Sequence, residues 1–259
     1  MKRAVKPDSL KYLILGAGGL GLVLRILLYA TGIDGRGLLV RGHWAWITLW
    51  ILTLLTGAAI LALTRLIHCP VTPEALSPVS FSGAMGAFAA MAGIGLTTIL
   101  EFSRDFGGIA LPVWVLGLCS TVAMGVIGAC RLTGRKPHPL LHALLCVYFA
   151  LRMMSRYRLW CSDPQLQDYC FYLGAYVALM LAAYHHAALG ADMGSHRPLW
   201  RYSLAAVYLG CVSLKSNMDA ALLFGCSVWA FTNLTCLTPR PRRQRPVLNL
   251  DDDSEEAEA

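Results

Sequence analysis

The stretch LILGAGGLGLVLRILLYATG, residues 13–32, decides the fold class of this chain. It runs for 20 residues with a single charged side chain, Arg25. A helix of about 20 apolar residues is long enough to cross the roughly 30 Å hydrocarbon core of a lipid bilayer. The stretch therefore predicts a transmembrane helix.

Three glycines in this stretch, Gly16, Gly18 and Gly21, also match the G-x-G-x-x-G spacing of a dinucleotide-binding loop. Such a loop follows a strand, opens a helix, and has an acidic residue about 20 positions further on. Here the first acidic residue after the glycines is Asp34, and no later segment alternates like a strand. Because helices in lipid associate through close approach at small residues, we interpret Ala17 and Gly21 as a helix-packing face. We expect no dinucleotide.

Apolar blocks of similar length recur along the whole chain of 259 residues, which is 56% hydrophobic and 14% charged. A soluble domain is nearer a quarter charged. The blocks cover residues 11–30, 43–66, 80–101, 109–132, 138–160, 167–189, 198–214 and 219–237. We predict an all-α polytopic bundle with about eight spans and short loops over residues 1–237, although the last two blocks could form one bent span.

The remaining residues, 238–259, are too polar to span a bilayer. Their first part, PRPRRQRP, is basic and suits anionic lipid headgroups. Their last part, DDDSEEAEA, has the composition of a disordered segment. We expect a disordered cytoplasmic tail. Because the basic residues of the chain are spread over both sides of the membrane, we expect no nucleic acid as a partner.

The distribution of positive charge predicts the orientation. With the N-terminus inside, 14 of the 22 lysines and arginines lie on the inner side, 7 lie on the outer side, and Arg25 lies within a span. Inner loops of membrane proteins carry the excess of such residues. The sequence therefore predicts a multi-pass protein of the plasma membrane with both termini in the cytoplasm.

Ionisable side chains within spans are costly and usually face the interior of the bundle. Six ionisable residues within the spans or beside them fall towards the predicted outer side: Arg25, Glu101, Arg152, Arg156, Asp163 and Asp219. Two hypotheses account for them. They line an outward-facing cavity for an anionic or zwitterionic ligand, or they are separate snorkelling arginines and structural ion pairs.

Six of the seven histidines fall towards the predicted inner side, and four of them are candidate metal ligands: His138, His142, His185 and His186. Since the fifth and sixth spans are antiparallel neighbours, imidazoles of the two spans can share a depth. Imidazole binds zinc, copper, iron and haem. One hypothesis is therefore a metal or haem site. The other is that these histidines lie at the membrane interface and bind no metal or other cofactor.

His138 and His142 form an H-x-x-x-H pair, which is similar to the histidine pair of seven-span membrane hydrolases of the alkaline ceramidase and progestin-receptor type. In those proteins the pair lies in the last span and is joined by an aspartate, a serine and a third histidine. Here the pair lies in the fifth span, and no serine–histidine spacing matches. The resemblance therefore ends at the motif.

The stretches SRYRLWCSDPQLQDYCFYLGAY and LMLAAYHHAA resemble a family of multi-span membrane proteins of anaerobic gut-type bacteria. The resemblance covers about a fifth of the chain, and no activity is assigned to the family. It implies a bacterial integral membrane protein and nothing about its chemistry.

Three functions are open at this point. We favour a non-catalytic membrane module that binds a lipid, a protein partner or a second copy of itself through small-residue helix faces. A small permease using the outer arginines is the second hypothesis, and a metal-dependent enzyme using the inner histidines is the third. Cys161 and Cys170 flank one predicted outer loop and could form a disulfide.

Overall fold

The computed structural model describes residues 7–32, 40, 42–66, 79–102, 110–161, 166–214 and 219–236, which form eight α-helices and no strand. The helices are α1 (Pro7–Thr31), α2 (Trp44–Leu66), α3 (Phe81–Phe102), α4 (Ala110–Thr133), α5 (Pro139–Trp160), α6 (Leu166–Gly190), α7 (His196–Val212) and α8 (Ala220–Cys236). The all-α prediction is confirmed, and α7 and α8 are separate helices. The predicted tail, residues 238–259, lies outside the described residues.

Five of the eight helices are long and apolar enough to cross a membrane. These spans are Ser9–Thr31, Trp44–Arg65, Phe81–Phe102, Leu111–Thr133 and Tyr169–Gly190, and α8 is a shorter apolar helix. The two remaining helices are less suited to crossing a membrane, because α5 carries three arginines and α7 has only 17 residues. The structure is a helical membrane bundle in which α5 and α7 are less apolar than the other helices.

Helices α3 to α8 form a closed ring. Each of them contacts the next in sequence, and α8 returns to pack along α3. The main hydrophobic core lies inside this ring and takes residues from all six helices. Helices α1 and α2 lie outside the ring and pack on α7, where a second core forms.

The tightest helix contact joins α3 and α8, and it depends on glycine. A Cβ atom on Gly225 would collide with the carbonyl oxygen of Ala89, and one on Gly93 would collide with the carbonyl oxygen of Ala221. Each glycine thus lets one backbone lie directly against the other. Such close approach is how helices gain packing energy in lipid, where no hydrophobic effect drives them together.

The glycines of the opening stretch pack α1 on α7 in the same manner. A Cβ on Gly21 would lie 2.6 Å from Cγ2 of Val212, and one on Gly18 would lie 3.0 Å from Cβ of Cys211. Gly16 and Gly19 have no other atom within 4 Å of the corresponding position. The interpretation of this stretch as a helix-packing face is confirmed for Gly21, and Ala17 is partly buried against the second core. Gly18 lies in the same contact.

We expect Gly225→Ala to lower the free energy of unfolding by about 1–3 kcal/mol, because an added methyl group meets backbone that cannot move aside. Gly19→Ala is the matched control, since its methyl group enters open space and alanine is the better helix former. Thermal unfolding of both variants in detergent checks this expectation. Equal melting temperatures would contradict the close α3–α8 contact.

Candidate functional site

Four charged side chains meet where α3 and α5 end and α8 begins, which we call the arginine end of the ring. Arg152 donates hydrogen bonds to Glu101 and, at 2.5 Å, to Oδ1 of Asp219. Arg156 donates to Oε1 of Glu101 at 2.5 Å and to the same Oδ1 of Asp219 at 2.7 Å. Each arginine thus binds both carboxylates, and we call these four residues the ion-pair cluster.

Local structure explains how the four side chains reach one another. Arg152 and Arg156 are four residues apart on α5, so they project from the same helix face. Asp219 directly precedes α8, and its carbonyl oxygen accepts a hydrogen bond from the backbone N–H of Leu223. A carboxylate at the start of a helix is stabilised by the helix dipole. Glu101 is supplied by the last turn of α3.

Burial is graded across the ion-pair cluster. The side chains of Arg152 and Asp219 are 2% and 4% exposed, whereas those of Arg156 and Glu101 are 16% and 25% exposed. Two guanidinium groups face two carboxylates, so the cluster has no formal net charge. A charge buried in a medium of low dielectric constant is tolerated only with such pairing. Glu101 is the most accessible member.

Two buried tyrosines extend the polar interior from the ion-pair cluster towards the middle of the ring. The hydroxyls of Tyr148 on α5 and Tyr176 on α6 have no hydrogen-bond partner among the described residues. Tyr148 precedes Arg152 by about one helical turn on α5. Buried polar groups are normally hydrogen-bonded, and among the described residues these two hydroxyls are exceptions.

Arg25 is buried as expected, but the structure places it outside the ion-pair cluster. Its Nη1 donates to the carbonyl oxygen of Val212 at 3.0 Å, at the end of α7. Its guanidinium lies over the rings of Tyr172 at 4.8 Å and Phe171 at 5.3 Å. Arginine over an aromatic face is a favourable cation–π arrangement, and helix-terminal carbonyls need such donors. Arg25 therefore joins α1 to α6 and α7.

Of the six residues predicted for the outer polar cluster, the structure thus brings together Glu101, Arg152, Arg156 and Asp219. Asp163 lies outside the described residues. Cys161 and Cys170, which flank the same predicted loop, are both thiols in the structure. The disulfide that the sequence left open is not formed between them.

At the opposite end of the ring, which we call the histidine end, two of the four candidate histidines meet. The rings of His142 on α5 and His186 on α6 stack with their centroids 5.3 Å apart. The indole of Trp229 on α8 lies 5.3 Å from His186 and 6.3 Å from His142. Both histidines are buried, so they belong to the interior of the bundle.

The other two candidate histidines lie elsewhere. His138 caps α5, where its Nδ1 accepts a hydrogen bond from the backbone N–H of Leu140 at 3.3 Å. His185 stacks on Tyr202 of α7 at 5.2 Å. In the part of the chain that the structure describes, no group of three or more His, Cys, Asp or Glu side chains could hold a metal ion. The His142–His186 pair supplies two imidazoles and no third ligand from that part.

Three further residues at the histidine end were missed by the sequence analysis. Arg131, in the last turn of α4, donates to Oδ1 of Asn233 at 3.3 Å, and Trp229 precedes Asn233 by one helical turn. A helical-wheel plot of α8 would have found Trp229 and Asn233, because they recur at helical spacing with Asp219 and Cys226. Arg131 lies on α4, so its pairing with Asn233 depends on which helices become neighbours.

Comparison with protein families, with curated proteins and with solved structures gives no match to this chain. Its function is therefore inferred from its own residues and their geometry.

We expect Asp219→Asn to destabilise the protein more than Glu101→Gln. Loss of the Asp219 charge leaves two guanidinium groups with one carboxylate in a buried setting, and breaking a buried ion pair costs about 3–5 kcal/mol. Glu101 is more exposed, so water compensates part of the loss. The melting temperatures of the two variants, measured in the same detergent, test this order. A larger drop for Glu101→Gln would show that the burial gradient does not govern the cluster.

Proposed function

We propose that this chain is a non-catalytic binding module embedded in the plasma membrane of a bacterium. The apolar helices support the membrane setting, and the bias of positive charge towards one side supports cytoplasmic termini. With this orientation the arginine end faces outwards. The observation that carries the proposal is the ion-pair cluster, which is deeply buried at Arg152 and Asp219 and partly open at Arg156 and Glu101.

The charge balance of the cluster favours a zwitterionic ligand. A molecule with one carboxylate and one ammonium group can exchange with the Arg156–Glu101 pair. Its carboxylate then binds Arg156, its ammonium group binds Glu101, and the net charge of the site does not change. A simple anion or cation would instead leave an uncompensated charge in an interior of low dielectric constant, which is costly. The hydroxyls of Tyr148 and Tyr176 are additional polar groups nearby.

We expect at least one free amino acid, tested at pH 7, to raise the melting temperature of the purified protein and to give saturable binding by calorimetry. At about 100 times the dissociation constant, a ligand stabilises the folded state by about 2.7 kcal/mol. Acetate and methylammonium carry only one of the two charges and should have little effect.

The variants for this test are Glu101→Gln, which should abolish the response, and Tyr202→Phe, a control on α7 at the other end of the bundle. Tyr202 stacks on His185 and is remote from the cluster. If no amino acid binds, or if acetate binds as well as the amino acids do, the proposed ligand class is wrong. If binding survives in Glu101→Gln, the site lies elsewhere.

A second candidate function, a small permease, is favoured by one observation. The helix ring has buried polar side chains near both of its ends. A side chain of the arginine end and one of the histidine end are ten residues apart in three places: Arg152 and His142 on α5, Tyr176 and His186 on α6, and Asp219, just before α8, and Trp229 on α8. Ten residues of helix correspond to about 15 Å. Apolar side chains such as Leu145 and Leu179 lie between the two polar regions.

Uptake into proteoliposomes separates the permease from the binding module. The probe is the radiolabelled amino acid that binds best to the detergent-solubilised protein. A binding module retains an amount of label comparable with the amount of protein, whereas a permease accumulates many molecules per protein in the lumen. We expect stoichiometric retention for the wild type. Accumulation that is lost in Asp219→Asn would favour the permease.

A further inference from the structure

The histidine end contains three buried polar atoms that have no hydrogen-bond partner among the described residues. They are Nε1 of Trp229, Nδ2 of Asn233 and Nε2 of His186. Their residues are 1%, 2% and 3% exposed. Leaving a buried donor or acceptor unpaired costs about 1–3 kcal/mol, so three such atoms in one region call for a common partner.

The chemistry of these atoms defines the partner. The indole N–H of Trp229 and the amide NH2 of Asn233 can only donate hydrogen bonds, and Nε2 of His186 donates in one of its two tautomers. The amide is held in this orientation because its Oδ1 accepts from Arg131. The common partner must therefore be an acceptor of several hydrogen bonds.

The position of the three donors and the charge beside them narrow the choice of ligand further. The guanidinium of Arg131 donates to Asn233, so a positive charge lies beside one of the three donors. Asn233 lies three residues before the end of α8, and His186 lies four before the end of α6. These distances correspond to roughly 5 Å of helix. Asn233 and His186 thus lie about one turn, and Trp229 about two turns, before the ends of their helices on this side of the bundle.

We infer that Trp229, Asn233 and His186 form a second binding site, for an oxyanion such as phosphate, either free in solution or carried by a lipid headgroup. The three nitrogen atoms donate to its oxygens, and the guanidinium of Arg131 stabilises its charge. The site is independent of the ligand proposed for the arginine end, because it uses other residues and the opposite surface.

Two probes test this site on the full-length protein in mild detergent. Inorganic phosphate is titrated by calorimetry, and phosphatidylglycerol is tested by native mass spectrometry with diacylglycerol as its phosphate-free control. We expect one of the two probes to bind saturably. Phosphate binding identifies a free oxyanion as the ligand, and selective retention of phosphatidylglycerol identifies a lipid headgroup.

Variants connect that binding to the three donors. Asn233→Asp keeps the shape of the side chain and the bond to Arg131, but it places a carboxylate where the amide donated, so it should abolish binding. Trp229→Phe removes one donor to a charged acceptor and should weaken binding at least about tenfold. Trp160→Phe, the same substitution at the end of α5 on the other side of the bundle, should leave binding unchanged.

The inference is overturned if neither probe binds, or if both variants at the histidine end bind like the wild type. Melting temperatures are measured alongside, because Trp229 is the largest fully buried side chain and its replacement could prevent folding. In that case the isosteric Asn233→Asp variant decides the question alone. Binding of amino acids at the arginine end is measured on the same samples, so failure of one site is distinguished from failure of the other.

Discussion

The rest of this structure depends on one constraint, that a guanidinium group within a membrane bundle must find a counter-charge or another strong partner. Arg152 meets this constraint through Glu101 and Asp219, and these contacts fix how α3, α5 and α8 meet. Arg25 meets it with a helix-end carbonyl group and aromatic faces. The first solution forms an ion-pair cluster with no formal net charge, whereas the second uses a carbonyl group and aromatic faces to join α1 to α6 and α7.

The two ends of the ring are chemically complementary. At the arginine end both donors and acceptors are ionised, and they satisfy one another with their charges balanced. At the histidine end the polar groups are mostly neutral donors that do not satisfy one another. One helix ring thus presents two different chemistries to the two sides of the membrane.

Hydropathy was enough to predict the fold, because a bilayer imposes both the length and the composition of each helix. The helical period also places Arg152 and Arg156 on the same face of α5 as His142. Hydropathy and periodicity describe one helix at a time, however, and the partners of Arg25 depend on which helices become neighbours. The approach of α7 to α1 at Gly21 brings the Val212 carbonyl within reach of Arg25. The pairing of Asn233 with Arg131 has the same origin, since it needs α4 and α8 to end at the same level.

The glycine contacts between α3 and α8 also bear on how the ring can change shape. At Gly93 and Gly225 backbone lies directly against backbone, with no side chain between the helices that could change its rotamer. Sliding or rolling one of these helices along the other would drive carbonyl groups into Cβ atoms. Helix α5 is joined to α3 and to the start of α8 by the ion pairs at the arginine end, whose long side chains have several rotatable bonds. The α3–α8 contact is therefore the more rigid of these two connections.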